Sequence, residues 1–170
     1  MPIDEIQTVC FVGSGTMGCY NSLIAALAGY EVVVIDLSEE KLARVSGVQK
    51  KLSHSLVNHG LITADEVDRA IAQIALTSDL EQGLENADLV SESVFERLEL
   101  KREVHRNLES LCPKHTLITT NSSSLLVSEI EDALDDGSRF AALHSYLGGR
   151  LIDIVGGPRT RAHTLDVLER

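Results

Sequence analysis

Positive charge is scarce in this chain: 15 Lys and Arg stand against 26 Asp and Glu, for a formal net charge of −11. No basic stripe runs along any segment, so nucleic acid and an anionic membrane surface are poor partners. Apolar runs are short as well, and none approaches the roughly 18 residues of a membrane span. Residues 1–7 have neither a basic nor an apolar region, which excludes a signal peptide there. Cysteine is limited to Cys10, Cys19 and Cys112, odd in number and without C-x-x-C spacing. That pattern reads as reduced thiols in a cytoplasmic protein, with Cys10 and Cys19 packing as small hydrophobes. His54, His59, His105, His115 and His163 lack metal-ligand spacing with other ligand types and read as surface residues, so no metal is expected. There are no repeats or low-complexity tracts, and aromatics make up only 4%. What is present is a 44% hydrophobic share suited to an α/β protein. At 170 residues the chain is one domain long, and a domain of that size buries roughly 70% of its unfolded surface without a disulfide or metal.

The chain is organised around residues 8–36. Val9, Cys10, Phe11 and Val12 form an apolar run without helical spacing, as in a strand buried on both faces. Gly13, Gly15 and Gly18 follow in G-x-G-x-x-G spacing. The first allows a tight turn, the second lets backbone approach a pyrophosphate, and the third allows close helix–strand packing. Met17, Tyr20, Leu23, Ile24 and Leu27 then mark an apolar helix face that Gly29 closes. The start of that helix would turn free N–H groups and a positive dipole end toward phosphate. A second strand over 31–35 ends on Asp36, eighteen residues past Gly18, where a carboxylate can accept hydrogen bonds from an adenine ribose. Leu37 and Ser38 follow and no arginine is adjacent. A 2′-phosphate would meet a carboxylate and no close cation, so the cofactor is expected to be NAD and not NADP.

Further along, one long helix is expected from Ser38 to His59, then a shorter one after Thr63 with Glu66 in the capping-box position. The two form a helical excursion from the sheet over residues 38–74. Strands are expected over 74–77, 87–94, 116–120, 140–143 and 151–155, and helices over 79–84, 98–111, 125–134 and 160–170. The alternation predicts a Rossmann-type doubly wound fold, a mostly parallel sheet with helices on both faces.

Ser123, His144 and Asp153 lie at or just past strand ends on the presumed cofactor edge. Oxidation of a hydroxyl needs a base to take its proton, and histidine titrates near working pH. A carboxylate on the other ring nitrogen would fix the tautomer, as in serine hydrolases. A serine hydroxyl can hold the substrate oxygen in register. Ser123 is alternatively a helix cap, whereas Asp153 in an apolar strand calls for a partner.

These stretches together make the whole chain resemble the NAD-binding domain of the L-3-hydroxyacyl-CoA dehydrogenases. G-S-G-T-M-G at 13–18 resembles that family's glycine loop, methionine included, and S-E-S-V-F-E at 91–96 with Lys101 resembles its V-E-x-x-x-E…K segment. T-N-S-S-S-L at 120–125 is similar to Asn-Thr-Ser-Ser-Leu, and His144 follows Ser123 by 21 residues, the family's serine–histidine spacing. L-I-D-I-V at 151–155 resembles Leu-Val-Glu-Ile-Val. The resemblance implies fatty acid metabolism and hydride transfer between NAD and a 3-hydroxyacyl substrate, CoA-linked or related. Gly13, Gly15, Thr16, Met17, Gly18 and Asp36 would then hold the cofactor's phosphates and adenosine. Glu96, Lys101 and Asn121 would lie along the cofactor or its nicotinamide ribose. Ser123 would touch the substrate oxygen, His144 would be the base, and Asp153 would stand where the family has its glutamate partner.

Three departures accompany the resemblance. Ser145, Tyr146, Leu147 and Gly148 stand where the family has Phe-Phe-Asn-Pro. Only nine residues separate His144 from Asp153, a shorter span than the family's, with a carboxylate one methylene shorter. Gly47 and Val48 stand where a lysine would hold coenzyme A phosphates. The family also has a second, all-helical domain that completes the substrate pocket, supplies a catalytic asparagine and forms a dimer interface. This chain ends at Arg170 within an expected helix. It reads as the cofactor half of a longer enzyme, for which a homodimer is open. The alternative reading is a non-catalytic NAD(H)-binding module acting as a redox sensor or partner subunit.

Overall fold

A computed structural model describes residues 6–148 and 151–170, so residues 1–5 of the stretch read for a signal peptide lie outside it. Among the described residues the strands are β1 (Thr8–Val12), β2 (Glu31–Ile35), β3 (Ala75–Thr77), β4 (Leu89–Glu92), β5 (Leu117–Thr120), β6 (Phe140–Ser145) and β7 (Ile152–Gly156). They form one sheet in the order β3-β2-β1-β4-β5-β6-β7. Every pairing is parallel except that of β6 with β7. The expected mostly parallel doubly wound sheet is therefore the observed fold.

Strand alternation sorts the core into two layers. Val9 and Phe11 of β1 and Val32 and Val34 of β2 pack with helices α1 (Thr16–Leu27), α2 (Glu39–Leu42), α3 (Val45–Asn58) and α4 (Ala64–Gln73). Cys10 and Val12 face the opposite layer, built on α5 (Leu80–Leu84), α6 (Leu98–Leu111) and α7 (Val127–Glu131). α8 (Ala162–Leu168) follows the antiparallel edge strand. Leu23, fully buried on α1, illustrates the energetics: truncating such a side chain to Ala costs about 2–5 kcal/mol. Among the described residues no helix is long and apolar enough to cross a membrane.

Several boundaries differ from the sequence reading. The helix expected from Ser38 to His59 is two helices, α2 and α3, because the Arg44 amide bonds three residues back to Lys41 O and resets the axis. Leu42 and Val45 stay buried on either side of the bend. Ser38 does cap α2, its hydroxyl accepting from Lys41 N at 3.3 Å, and Thr63 and Glu66 form a full capping box on α4. The α1 core face is Cys19, Leu23 and Ala26 with Tyr20, whereas Ile24 is exposed. α7 is shorter than the 125–134 expected, starting at Val127 where the Glu129 carboxylate accepts from Leu126 N.

Candidate active site

The glycine loop lies where the strand order reverses, between the carboxyl ends of β1 and β4, the position at which open α/β sheets bind ligands. Gly13 has φ +101°, and its amide donates to Ile35 O at 2.8 Å. A Cβ at Gly13 would stand 2.8 Å from Ser93 O, and one at Gly18 would stand 1.9 Å from Gly13 O. A Cβ at Gly15 would meet nothing within 4 Å. Two glycines thus close the turn and the third keeps a space open beside the start of α1. That helix begins at Thr16 with Met17 next, and its first turn has neither a side-chain cap nor an acidic residue. Its N–H groups and dipole are left for an anion. These residues fit a dinucleotide pyrophosphate.

Asp36, just past β2, accepts hydrogen bonds from Ser14 N at 2.9 Å, Ser14 Oγ at 2.8 Å and Ser38 N at 3.0 Å. Burial favours the protonated carboxyl, but these bonds and Lys41 outweigh it and hold Asp36 below the ordinary carboxylate range. Lys41 Nζ is 3.8 Å from Asp36 Oδ2. The expectation that no cation lies close by is therefore corrected. Lys41 enters because Ser38, bonded to Asp36 through its amide, caps α2 through Lys41 N, and its ammonium is engaged by the carboxylate.

A buried charge cluster stands behind this edge. Glu92, at the end of β4, is fully buried and accepts from Lys101 Nζ at 2.7 and 3.0 Å, Thr120 Oγ1 at 2.7 Å and Val94 N at 2.6 Å. Burial would raise its carboxyl; His105, by hydrogen bond and charge, and Lys101 pull it well below the ordinary range. An ionised carboxylate only accepts, so the proton of the 3.0 Å contact with His105 belongs to Nε2. His105, read as a surface residue, is instead fully buried. Lys101, His105 and Leu108 follow one stripe of α6 at i, i+4 and i+7, and the whole stripe turns inward.

Lys101 is thus placed inside, on Glu92, with Glu96 Oε2 at 3.5 Å, and is not spread along the cofactor edge. Glu96 Oε1 accepts from Ser122 Oγ at 2.6 Å, Ser123 N at 3.0 Å, Ser124 N at 2.9 Å and Ser124 Oγ at 3.0 Å. Burial raises this carboxyl too, but the serine donors and Lys101 hold it down at about 2. Glu96 therefore pins the serine loop to the charge cluster. The helix-cap reading of Ser123 is not met: Ser122 Oγ accepts from Leu125 N and Glu129 caps α7. Ser123 is exposed, and its hydroxyl makes no hydrogen bond among the described residues.

Parallel pairing of Thr120 with Ala142 sets the ends of β5 and β6 side by side, with Asn121 to Ser123 following the one and His144 two residues along the other. Half-buried His144 meets the Asn121 carbonyl through Nδ1 at 3.2 Å. A carbonyl only accepts, so Nδ1 carries a proton, and in the neutral ring the lone pair is on Nε2. Asn121 Oδ1 accepts from Ser145 N at 2.9 Å, which leaves its amide nitrogen as a donor. Asp153 lies directly opposite His144 in the β6–β7 ladder. It is exposed and not buried, and it accepts from Tyr146 Oη at 2.6 Å in place of His144. The sequence reading missed Ser14, Lys41, Glu92 and Tyr146. Glu92 had a signal: an acid inside a strand with apolar neighbours needs a buried partner.

The chain matches the family model described as 3-hydroxyacyl-CoA dehydrogenase, NAD binding domain, over residues 8–170. It is 35% identical over 168 residues to 3-hydroxyadipyl-CoA dehydrogenase of Escherichia coli (strain K12), covering 96% of this chain and 35% of that protein. Identity to the mitochondrial hydroxyacyl-coenzyme A dehydrogenase of Homo sapiens is 29% over 171 residues, covering 96% of this chain and 54% of that one. Among solved structures, 3-hydroxybutyryl-CoA dehydrogenase from Escherichia coli K12 superposes with a TM-score of 0.88 at 34% identity, over 96% of this chain and 35% of that one. A diketoreductase gives 0.91 at 27% identity, over 96% and 59%. The chain thus spans 35% and 54% of the length of the two curated relatives. It belongs to the 3-hydroxyacyl-CoA dehydrogenase family, of which residues 8–170 form the domain that binds NAD.

Proposed function

We propose that this domain is the cofactor-binding half of an oxidoreductase that interconverts a 3-hydroxyacyl substrate and its 3-keto form. The observation that carries the reading is the Nδ1 contact of His144 with Asn121 O, which frees Nε2 as a base at the edge where the glycine loop and Ser123 also stand. NAD, when bound, supplies the hydride acceptor. His144 Nε2 takes the hydroxyl proton as the C3–H hydride departs and the C3–O bond becomes a carbonyl. Ser123 Oγ would hold the substrate oxygen, and the Asn121 amide would supply a donor to the nicotinamide ribose. Relatives named for 3-hydroxyadipyl-CoA and 3-hydroxybutyryl-CoA support a CoA-linked acyl substrate. Three free, buried cysteines support a cytoplasmic setting.

The test is 3-hydroxyacyl-CoA oxidation by the full-length protein with His144→Ala. Removal of a general base costs about 10²–10⁴-fold in kcat, and a variant retaining most of the activity would exclude His144 as the base. A second reading, an NAD(H)-binding module without turnover, draws on one observation: Asp153 is bonded to Tyr146 and not to His144. It expects NAD binding with no oxidation by the same preparation.

A further inference from the structure

β6 and β7 place His144 directly opposite Asp153. Opposed residues put their side chains on one face of the sheet, with Cβ atoms about 4.5–5.5 Å apart. A carboxylate there has an imidazole within its field. Asp153 Oδ2 nevertheless takes the Tyr146 hydroxyl at 2.6 Å, and the imidazole turns to Asn121 O. Tyr146 follows His144 by two residues, and its ring meets the imidazole edge-on, with centroids 4.7 Å apart and planes at 71°. One side chain touches both members of the pair that sequence reasoning expected to bond directly.

We propose that Tyr146 is a positioning residue for His144, its hydroxyl holding the Asp153 carboxylate off the imidazole and its ring bracing that imidazole against the Asn121 carbonyl. An O–H···O⁻ bond of this length is charge-assisted and stronger than a neutral one. The same bond, with the charge of Asp153, raises the Tyr146 phenol above its ordinary value, so the phenol stays protonated and keeps its hold. The Tyr146 ring and the Asn121 carbonyl after β5 contact the imidazole, and Asp153 of β7 stands opposite it. Of these, Asp153 carries charge, and Tyr146 decides where that charge points. The consequence for catalysis rests on His144 being the base; the arrangement itself does not.

The test is proton NMR of the His144 ring at pH 7 in four proteins: the unaltered chain, Tyr146→Phe, Asp153→Asn and the double variant. Both positions are exposed, so the variants keep the fold. Tyr146→Phe keeps the ring and frees the carboxylate, and the ratio of protonated to neutral His144 rises about threefold or more. Asp153→Asn alone changes that ratio by less than about twofold, and the double variant returns it to the unaltered value. The proposal is overturned if Tyr146→Phe leaves the ratio unchanged, if the rise survives in the double variant, or if Asp153→Asn alone lowers it about threefold. Full activity in His144→Ala would instead remove the base assignment and leave this coupling standing.

Discussion

Lys101 Nζ lies 2.7 Å from Glu92 Oε1, and both side chains are out of water, at 1% and 0% exposure. An ion pair so buried contributes little over apolar side chains of the same volume, but removing one partner strands the other. Lys101→Met is therefore expected to destabilise the domain by about 3–5 kcal/mol, measured by urea unfolding. Loss of less than about 1 kcal/mol would mean that His105, Thr120 and the Val94 amide hold Glu92 without the lysine.

Glu92, held by His105 and Lys101, also makes stability depend on pH. Glu92 is lowered from 4.5 to about 2 on folding. A depressed carboxyl contributes stability that is fully present above the unfolded value and is lost as pH falls through the folded one. Glu96 acts in the same direction. The urea midpoint should thus fall as pH drops below 4.5 toward 2, and Glu92→Gln should be weaker at pH 7 with a flatter profile. Parallel profiles for the two proteins would show that the proton goes elsewhere.

Two glycine substitutions should separate folding from binding. A methyl at Gly18 would stand 1.9 Å from Gly13 O, backbone against backbone, so Gly18→Ala is expected to cost about 1–3 kcal/mol or to prevent folding. Gly15, the N-cap of α1, has φ −68° and open space. Gly15→Ala should therefore change stability by less than about 1 kcal/mol, its unfolded-state gain offset by the poorer cap, while weakening NAD binding. Thermal melts with and without NAD check both halves of the statement.

The three thiols should be silent in the native protein. Burial pushes Cys10 up to about 12 and Cys19 and Cys112 up to about 11. A thiol-disulfide reagent at pH 8 should label none of them until denaturant is added. Rapid labelling of one thiol in native buffer would show an opening near that cysteine.

Much of the fold is legible in the residues because local signals agree with the tertiary outcome. Residues 98–111 form a helix to the residue, since an amphipathic pattern and Pro113 bound it. The glycine loop is legible for the same reason: each glycine answers a specific close approach or open space. What was not legible depends on partners distant in sequence. His105 reads as a surface residue until α6 turns its Lys101 stripe toward Glu92. Asp153 reads as buried because its neighbours are apolar, yet β7 is an edge strand with Ile152 and Val155 more than 45% exposed. Lys41 reaches Asp36 because Ser38, its amide on the Asp36 carboxylate, turns the chain straight into α2.

The Asp36 carboxylate is where the cofactor assignment can be refuted. Calorimetric titration of the chain with NAD and NADP, repeated on Asp36→Ala, reads the carboxylate's part in cofactor choice. The unaltered chain should bind NAD in preference to NADP. The variant should lose about tenfold or more in NAD affinity, the loss of one or two charge-assisted hydrogen bonds, and should gain on NADP because Lys41 is released. Equal NAD affinity in the two proteins, or NADP binding as tight as NAD in the unaltered chain, would contradict the assignment of Asp36 and of the site built around it.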